Sequence, residues 1–258
     1  MRPYHHTAVI TGATSGIGKA FALEYARKGF DLILTGRRRD ELQHVADTLS
    51  RHYPVKTGIF AGDLSDPSNR NALSTMIENT GVIDVLINNA GFGIDRPFYG
   101  NSLDDIRSMI NTHVLATTEL THAVLPGMMR RRKGTIINVS SLVVFTPALT
   151  RCLYFSTKSF VHCFTEALSM EMHPYGIKVQ SLCPGLTRTD FHRDMKEEEK
   201  KKKFKLLDFA CPEKVVSHSL KTLESGSVTC IPGLMNKLLY MLARLLPLRF
   251  QAIFVNHQ

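Results

Sequence analysis

The chain has 258 residues, 43% of them hydrophobic, which is close to ordinary soluble composition and ample for one large packed core. A formal net charge of +9 raises nucleic acid or anionic lipid as partners, but no zinc-finger spacing and no basic stripe interleaved with aromatics accompanies it. An anionic small molecule is the simpler reading. The cysteines Cys152, Cys163, Cys183, Cys211 and Cys230 form neither a CxxC pair nor a Cys/His ligand spacing, and their odd number excludes a full disulfide framework; no metal is expected.

Reduced thiols and an N-terminus, MRPYHHTAVITG, with no apolar leader suggest a cytoplasmic protein. No apolar run reaches the roughly 18 residues of a membrane span. The nearest, Leu238–Leu248, is broken by Arg244.

Short β-rich runs alternate with helical patterns along the chain. Strands are expected at Ala8–Thr11, Leu32–Thr35, Val55–Phe60, Ile83–Ile87, Thr135–Val139, Lys178–Cys183 and Ser227–Ile231. Helices are expected at Ile17–Lys28, Asp40–Arg51, Asn69–Asn79, a long stretch from Leu103 to Met129, Tyr154–His173 and Glu213–Glu224. This rhythm predicts an α/β fold, a doubly wound parallel sheet of about seven strands with helices on both faces. No linker divides the chain, so one domain is expected over 1–258, with an insertion at 190–210 and a helical tail at 232–258.

In the insertion, Glu197, Glu198 and Glu199 each precede Lys201, Lys202 and Lys203 by one helical turn, the favourable order for a solvated helix. Phe191, Met195, Phe204 and Leu207 suggest that it also covers something. In the tail, Leu234, Leu238, Met241, Leu242 and Leu245 share one helical face, opposite Lys237 and Arg244. That face suits docking on the core, a lid over an apolar substrate, or a peripheral membrane contact through 234–248.

Two motifs carry chemistry. TGATSGIG places Gly12, Gly16 and Gly18, with Thr14 and Ser15 between them, in a turn from the first strand into a helix. Glycines permit the turn and the close approach of a pyrophosphate, which the free amides and dipole of the helix start would hold. YFSTK puts the phenol of Tyr154 and the ammonium of Lys158 one helical turn apart. A phenol able to protonate a carbonyl oxygen, beside a dinucleotide site, points to hydride transfer.

The second strand ends in Gly36, Arg37, Arg38 and Arg39, where an NAD enzyme would offer an acid to the ribose. Three cations at a helix start oppose its dipole, a cost that the 2′-phosphate of NADP would relieve. NADP(H) is therefore expected in preference to NAD(H). Asp63, followed by Leu64, could accept from the adenine amino group or cap the next helix. Asn88-Asn89-Ala90-Gly91 closes the fourth strand, where the crevice should lie.

TGATSGIG, NNAG, Ser141, YFSTK and CPGLTRT occur in the order and spacing of one family. The chain resembles a classical short-chain dehydrogenase/reductase over nearly all of residues 7–231. The resemblance implies a Rossmann-type sheet in which Tyr154 is the general acid or base. Lys158 lowers its pKa and holds the nicotinamide ribose. Ser141 bonds the substrate carbonyl, with Ser140 as the runner-up for that role and a strand-end cap as the plainer alternative. Asn111 supports a proton relay to Lys158. Ile17, Asn89, Ala90 and Gly91 would lie along the cofactor, and Pro184, Gly185, Thr187 and Thr189 would line the nicotinamide.

After Ser141 the chain reads LVVFTPALTRC, departing from the small residues of many relatives. Val143, Val144, Phe145 and Leu149 make the substrate side apolar and bulky. The tail resembles those of a branch that reduces acyl-chain and steroid ketones. The expected function is NADPH-dependent reduction of a ketone or aldehyde on an apolar substrate, or oxidation of the alcohol. The two long helices, similar to the family's dimer-forming pair, suggest a homodimer or homotetramer. A non-catalytic NADPH sensor or scaffold is the alternative, and a nucleic-acid or membrane-surface protein the third reading.

Overall fold

The computed structural model describes residues 6–145, 151–189 and 209–245. The expected helix in the charged insertion, residues 190–208, lies outside the described residues.

The strands are β1 (Thr7–Ile10), β2 (Asp31–Gly36), β3 (Thr57–Ala61), β4 (Val85–Asn88), β5 (Gly134–Val139), β6 (Ile177–Leu182) and β7 (Thr229–Cys230). They form one seven-stranded sheet in the order β3-β2-β1-β4-β5-β6-β7, and every pairing is parallel. The order reverses between β1 and β4. Crossovers leaving these neighbours in opposite directions open a crevice at their carboxyl ends.

Strand sequences alternate between two buried faces rather than between core and water. Ala8, Ile10, Leu32, Leu34, Val85 and Ile87 face one cluster, which also takes residues of helices α1 (Gly16–Arg27), α2 (Arg39–His52) and α7 (Pro212–Glu224). Val9, Ile33, Leu86 and Ile136 face the other, built with α3 (Pro67–Thr80), α5 (Ala116–Arg131) and α6 (Cys152–Met172). Each strand must be apolar on both sides, hence the continuous apolar runs.

Local signals fix the helix starts. Asp66 caps α3 by accepting from the Ser68 N–H at 2.8 Å, with Pro67 as the first helical residue. Ser102 and Asp105 form a capping box at α4 (Leu103–Ile110). Three cations were expected to oppose the dipole of α2, but Asp40 and Glu41 occupy its first turn, and Arg38 pairs with Glu41 at 2.8 Å. The dipole is satisfied locally, so that argument for a bound phosphate falls away.

The stretch expected as one long helix from Leu103 to Met129 is interrupted. Asn111–Leu115 forms a π turn, with the Ala116 N–H bonded to the Asn111 carbonyl. The extra residue changes which side chains face inward, and such turns recur at functional sites.

The tail helix α8 (Leu234–Leu245) corrects a second expectation. Leu234, Leu238, Met241 and Leu242 stand exposed, so of the three readings of this face the docked one does not hold for these residues. The helix turns Asn236 and Tyr240 inward instead. Asn236 packs on Gly185, and the Tyr240 ring meets Phe145 edge-on at 4.5 Å. An aromatic contact and a polar anchor thus set the orientation, against the apolar period of the sequence.

Candidate active site

The segments that follow the carboxyl ends of β1 to β6 build the crevice. Leaving β1, the chain makes the glycine turn. Gly12 and Gly16 have φ of +65° and +55°, a region open to glycine and costly for other residues. A Cβ on Gly18 would run into the Gly12 carbonyl, so helix and turn lie in direct backbone contact. Among the described residues, no acidic side chain occupies the first turn of α1 and Ser15 gives it no side-chain cap. The amides there can receive an anion.

Asn89 clamps this turn. Its Nδ2 donates to the carbonyls of Thr11 at 2.9 Å and Gly12 at 3.1 Å. The Thr11 hydroxyl accepts the backbone N–H groups of Asn89 and Ala90, both at 2.9 Å. The strand-end motifs after β1 and β4 are therefore one hydrogen-bonded unit.

Of the arginines after β2, Arg38 donates from Nη2 to Thr14 Oγ1 at 3.0 Å. Arg37 turns the other way and approaches Asp63 at 3.8 Å. Asp63 accepts the Ser65 N–H at 2.9 Å in a local turn, and the helix-capping role belongs to Asp66. Buried Leu64 and Ser65 give their carbonyls to Arg70 at 3.1 Å, while Arg70 pairs with Glu119 at 2.7 Å. The loop after β3 is thereby bolted to α5.

Asn111 belongs to the same bolt. Its Nδ2 donates to the Ser65 carbonyl at 2.9 Å. This bond directs the amide toward the β3–α3 loop.

At the end of β5, Ser140 and Ser141 separate into two roles. Ser140 Oγ donates to the Lys158 carbonyl at 2.9 Å, tying strand to catalytic helix. Ser141 Oγ accepts the Val143 N–H at 3.3 Å and hydrogen-bonds the Tyr154 phenol. Behind them, Asn88 donates to Asn138 Oδ1 at 2.8 Å and Asn138 donates to Thr165 at 3.0 Å. This buried chain ties β4, β5 and α6 together through the Asn88 and Asn138 amide nitrogens.

Tyr154 and Lys158 are both buried on α6. Burial raises the Tyr154 pKa above 10.0, while the Ser141 hydrogen bond and the Arg151 charge lower it. Arg151, one turn before the tyrosine, pairs with Asp95 at 3.0 Å. Lys158 was expected to be the group that lowers this pKa. Its Nζ instead donates to the Val139 carbonyl at 2.8 Å and stands 6.0 Å from the Tyr154 ring centre. Burial pushes the lysine itself down to about 8.

After β6, the Pro184 carbonyl accepts the Leu142 N–H at 2.9 Å, linking this wall to the Ser141 segment. Thr187 bonds the Gly185 carbonyl at 3.0 Å, and Thr189 closes over the glycine turn so that a Cβ on Gly16 would overlap it. Arg188 and Ala210 bond across the base of the insertion at 3.0 Å. On the substrate side, Val143, Val144 and Phe145 follow Ser141, with Phe145 packed between His162 at 5.0 Å and Tyr240 at 4.5 Å.

The residues present fit a dinucleotide. The three glycine positions of the turn have no room for a side chain, its helix start can receive phosphate, and a cation lies beside it. Such a cradle next to a buried Tyr–Lys pair defines an oxidoreductase of Rossmann fold. The pattern of the short chain dehydrogenase family matches residues 6–200, and the chain belongs to that family, whose members act on carbonyl and alcohol groups.

Among curated relatives, a very-long-chain 3-oxoacyl-CoA reductase of Mus musculus is 35% identical, over 83% of this chain and 67% of its own length. Hydroxysteroid dehydrogenase-like protein 1 of Gallus gallus is 34% identical, over 86% and 67%. Among solved structures, a short-chain dehydrogenase from Sphingobium yanoikuyae in complex with NADPH superposes with TM-score 0.82 at 30% identity, covering 89% of this chain and 88% of that one. A bulky-bulky ketone specific alcohol dehydrogenase from Comamonas testosteroni gives 0.80 at 29%, covering 93% of each.

These relatives overturn the expected cytoplasmic location. The first is named for very-long-chain acyl substrates, whose apolar area drives them out of water into lipid. No helix among the described residues is long and apolar enough to cross a membrane.

The sequence reading missed His113, Arg151, Asn236 and Tyr240, and gave Asn89 only a place along the cofactor. His113 could have been flagged as a lone imidazole two residues beyond Asn111. Nothing in the sequence marks Asn236 and Tyr240, because their partners are far away along the chain.

Proposed function

We propose that the protein is an NADPH-dependent reductase of a 3-oxoacyl thioester or a comparably bulky apolar ketone. The observation that carries this reading is the hydrogen bond between buried Ser141 and buried Tyr154 at the end of β5.

A bound nicotinamide dinucleotide would supply the hydride to the carbonyl carbon. Gly12, Thr14, Ser15, Gly16, Ile17 and Gly18 hold its pyrophosphate, and Arg38, with Arg37 and Asp63 nearby, surrounds the adenosine end. Leu64, Asn89, Ala90, Gly91, Pro184, Gly185, Thr187 and Thr189 line its length. Tyr154 and Ser141 both bond the substrate oxygen, and Tyr154 donates its proton as negative charge develops there. Lys158, bonded to the Val139 carbonyl, would also hold the nicotinamide ribose of a bound cofactor, and its charge would favour the tyrosinate. Asn111 supports the site through the loop it anchors and the π turn it begins. In the oxidation direction Tyr154 is the base.

Support for the substrate class comes from the acyl-CoA reductase and the bulky-ketone alcohol dehydrogenase among the similar proteins, and from the apolar wall of Val143, Phe145 and Tyr240. The test is NADPH consumption with 3-oxoacyl-CoA esters and ketones of graded size, alongside Tyr154→Phe. Turnover that rises with chain length and vanishes in the variant is expected. Full turnover by Tyr154→Phe would overturn the mechanism, and NADPH binding without turnover of any carbonyl would favour the sensor reading.

A further inference from the structure

A buried imidazole lies beside the proposed acid, and no step above uses it. His113 is 1% exposed, in the π turn at Asn111–Leu115. Its Nε2 accepts the Phe92 backbone N–H at 3.1 Å, and its Nδ1 lies 2.9 Å from Thr157 Oγ1. The Thr157 hydroxyl donates to the Tyr154 backbone carbonyl at 3.1 Å.

Donor counting fixes the tautomer. The Phe92 N–H can only donate, so Nε2 is unprotonated; the Thr157 proton is committed to the Tyr154 carbonyl, so Nδ1 carries the hydrogen. Burial first, then the Lys158 charge, hold His113 well below the usual imidazole range, and the ring is neutral at neutral pH. It meets Phe92 and Tyr154 edge-on, at 5.7 and 5.8 Å between centres. A Cβ on Gly91 would sit 2.9 Å from Nε2 and 3.3 Å from Lys158 Nζ, so imidazole and ammonium press on the same glycine of the cofactor wall.

We propose that His113 is a positioning residue that sets the catalytic helix against the cofactor wall. The chain Phe92 N–H to His113, His113 to Thr157 and Thr157 to the Tyr154 carbonyl spans from the residue after Gly91 to the first turn of α6. The Tyr154 backbone, which carries the phenol, is thereby tied to the strand-end segment that begins at Gly91. A rigid ring with an acceptor on one edge and a donor on the other satisfies both ends; an aliphatic side chain of similar size satisfies neither. The inference rests on the reading of Tyr154 as the acid.

The test is steady-state kinetics of carbonyl reduction for His113→Leu, His113→Asn, Thr157→Val and the double variant His113→Leu/Thr157→Val. NADPH binding and thermal melting are measured for each. Because small misplacements of a reacting group cost up to about 100-fold, His113→Leu and Thr157→Val are expected to lower kcat about 10- to 100-fold while the NADPH KM stays within about twofold. His113→Asn, which keeps a donor for Thr157, recovers most of the loss. The double variant is no slower than the slower single one, since both cut the same chain. Unchanged kcat in a folded His113→Leu protein, whatever its melting temperature, would overturn the proposal, as would multiplicative losses in the double variant. If His113→Leu does not fold, Thr157→Val, an isosteric change, decides by the same criterion. Tyr154→Phe separates the two readings: if it retains turnover, the acid assignment fails; if it is inactive while His113→Leu is not, only the positioning role fails.

Discussion

Arg38 donates from its guanidinium to the Thr14 hydroxyl at 3.0 Å, a side-chain bond that joins the basic turn after β2 to the glycine turn after β1. A 2′-phosphate on the adenosine ribose would enter between them. Hydrogen bonds to charged groups contribute about 1.5–3 kcal/mol, so Arg38→Leu should raise the NADPH KM about 10- to 100-fold and leave the NADH KM nearly unchanged. Arg37→Leu should do less, because Arg37 leans toward Asp63. Parallel titrations with the two cofactors check both.

The two serines after β5 should separate kinetics from stability. Ser141→Ala removes a donor from the site of developing charge, with an expected kcat loss of about 100- to 1,000-fold and little change in melting. Ser140→Ala removes a buried bond to the Lys158 carbonyl and should cost about 1 kcal/mol of stability. Rates and denaturant midpoints measured on both variants distinguish the roles; the reverse pattern would exchange them.

Lys158 makes stability depend on alkaline pH. Its folded pKa of about 8 lies below the ordinary 10.5, so between these values the unfolded chain binds more protons than the folded one. Stability contributed by this group therefore rises with pH across that window, and the penalty of its buried charge is fully present below pH 8. Lys158→Met should abolish turnover and stabilise the protein at neutral pH by up to about 3 kcal/mol, a gain that shrinks toward pH 10. Urea unfolding at several pH values checks this.

The tyrosine should also show in pH–rate profiles. Reduction needs the protonated phenol, and burial raises the Tyr154 pKa. Reduction should fall only on the alkaline side, while oxidation should climb as pH rises. Arg151→Leu removes a charge that lowers this pKa, so both limbs should move to higher pH.

Tyr240 is expected to govern substrate size. Tyr240→Ala removes the ring packed on Phe145 and opens the apolar wall. The KM of short ketones should rise about tenfold through lost apolar contact, with smaller effects on bulkier ones and none on NADPH. A variant that changes the NADPH KM instead would place α8 on the cofactor side.

The sequence by itself determined the parallel sheet, because strands buried on both faces must be apolar throughout and the helices between them must be amphipathic. It also determined the glycine turn and the Tyr154–Lys158 pair, since both are local: a turn's φ values and a helical turn's spacing depend on adjacent residues. Only the tertiary structure decided what distant groups do to them. Asn89 clamping Gly12, Arg38 meeting Thr14, Asn111 bonding Ser65, and Lys158 held by Val139 all join residues from different strand ends. The tail shows the same limit from the other side. Its apolar period grouped one face and left docking, lid and membrane contact open, and Asn236 on Gly185 and Tyr240 on Phe145 turned that face outward. Periodicity reports which side chains share a face. Which face is buried depends on the surface waiting for it, and that surface exists only once the chain has folded.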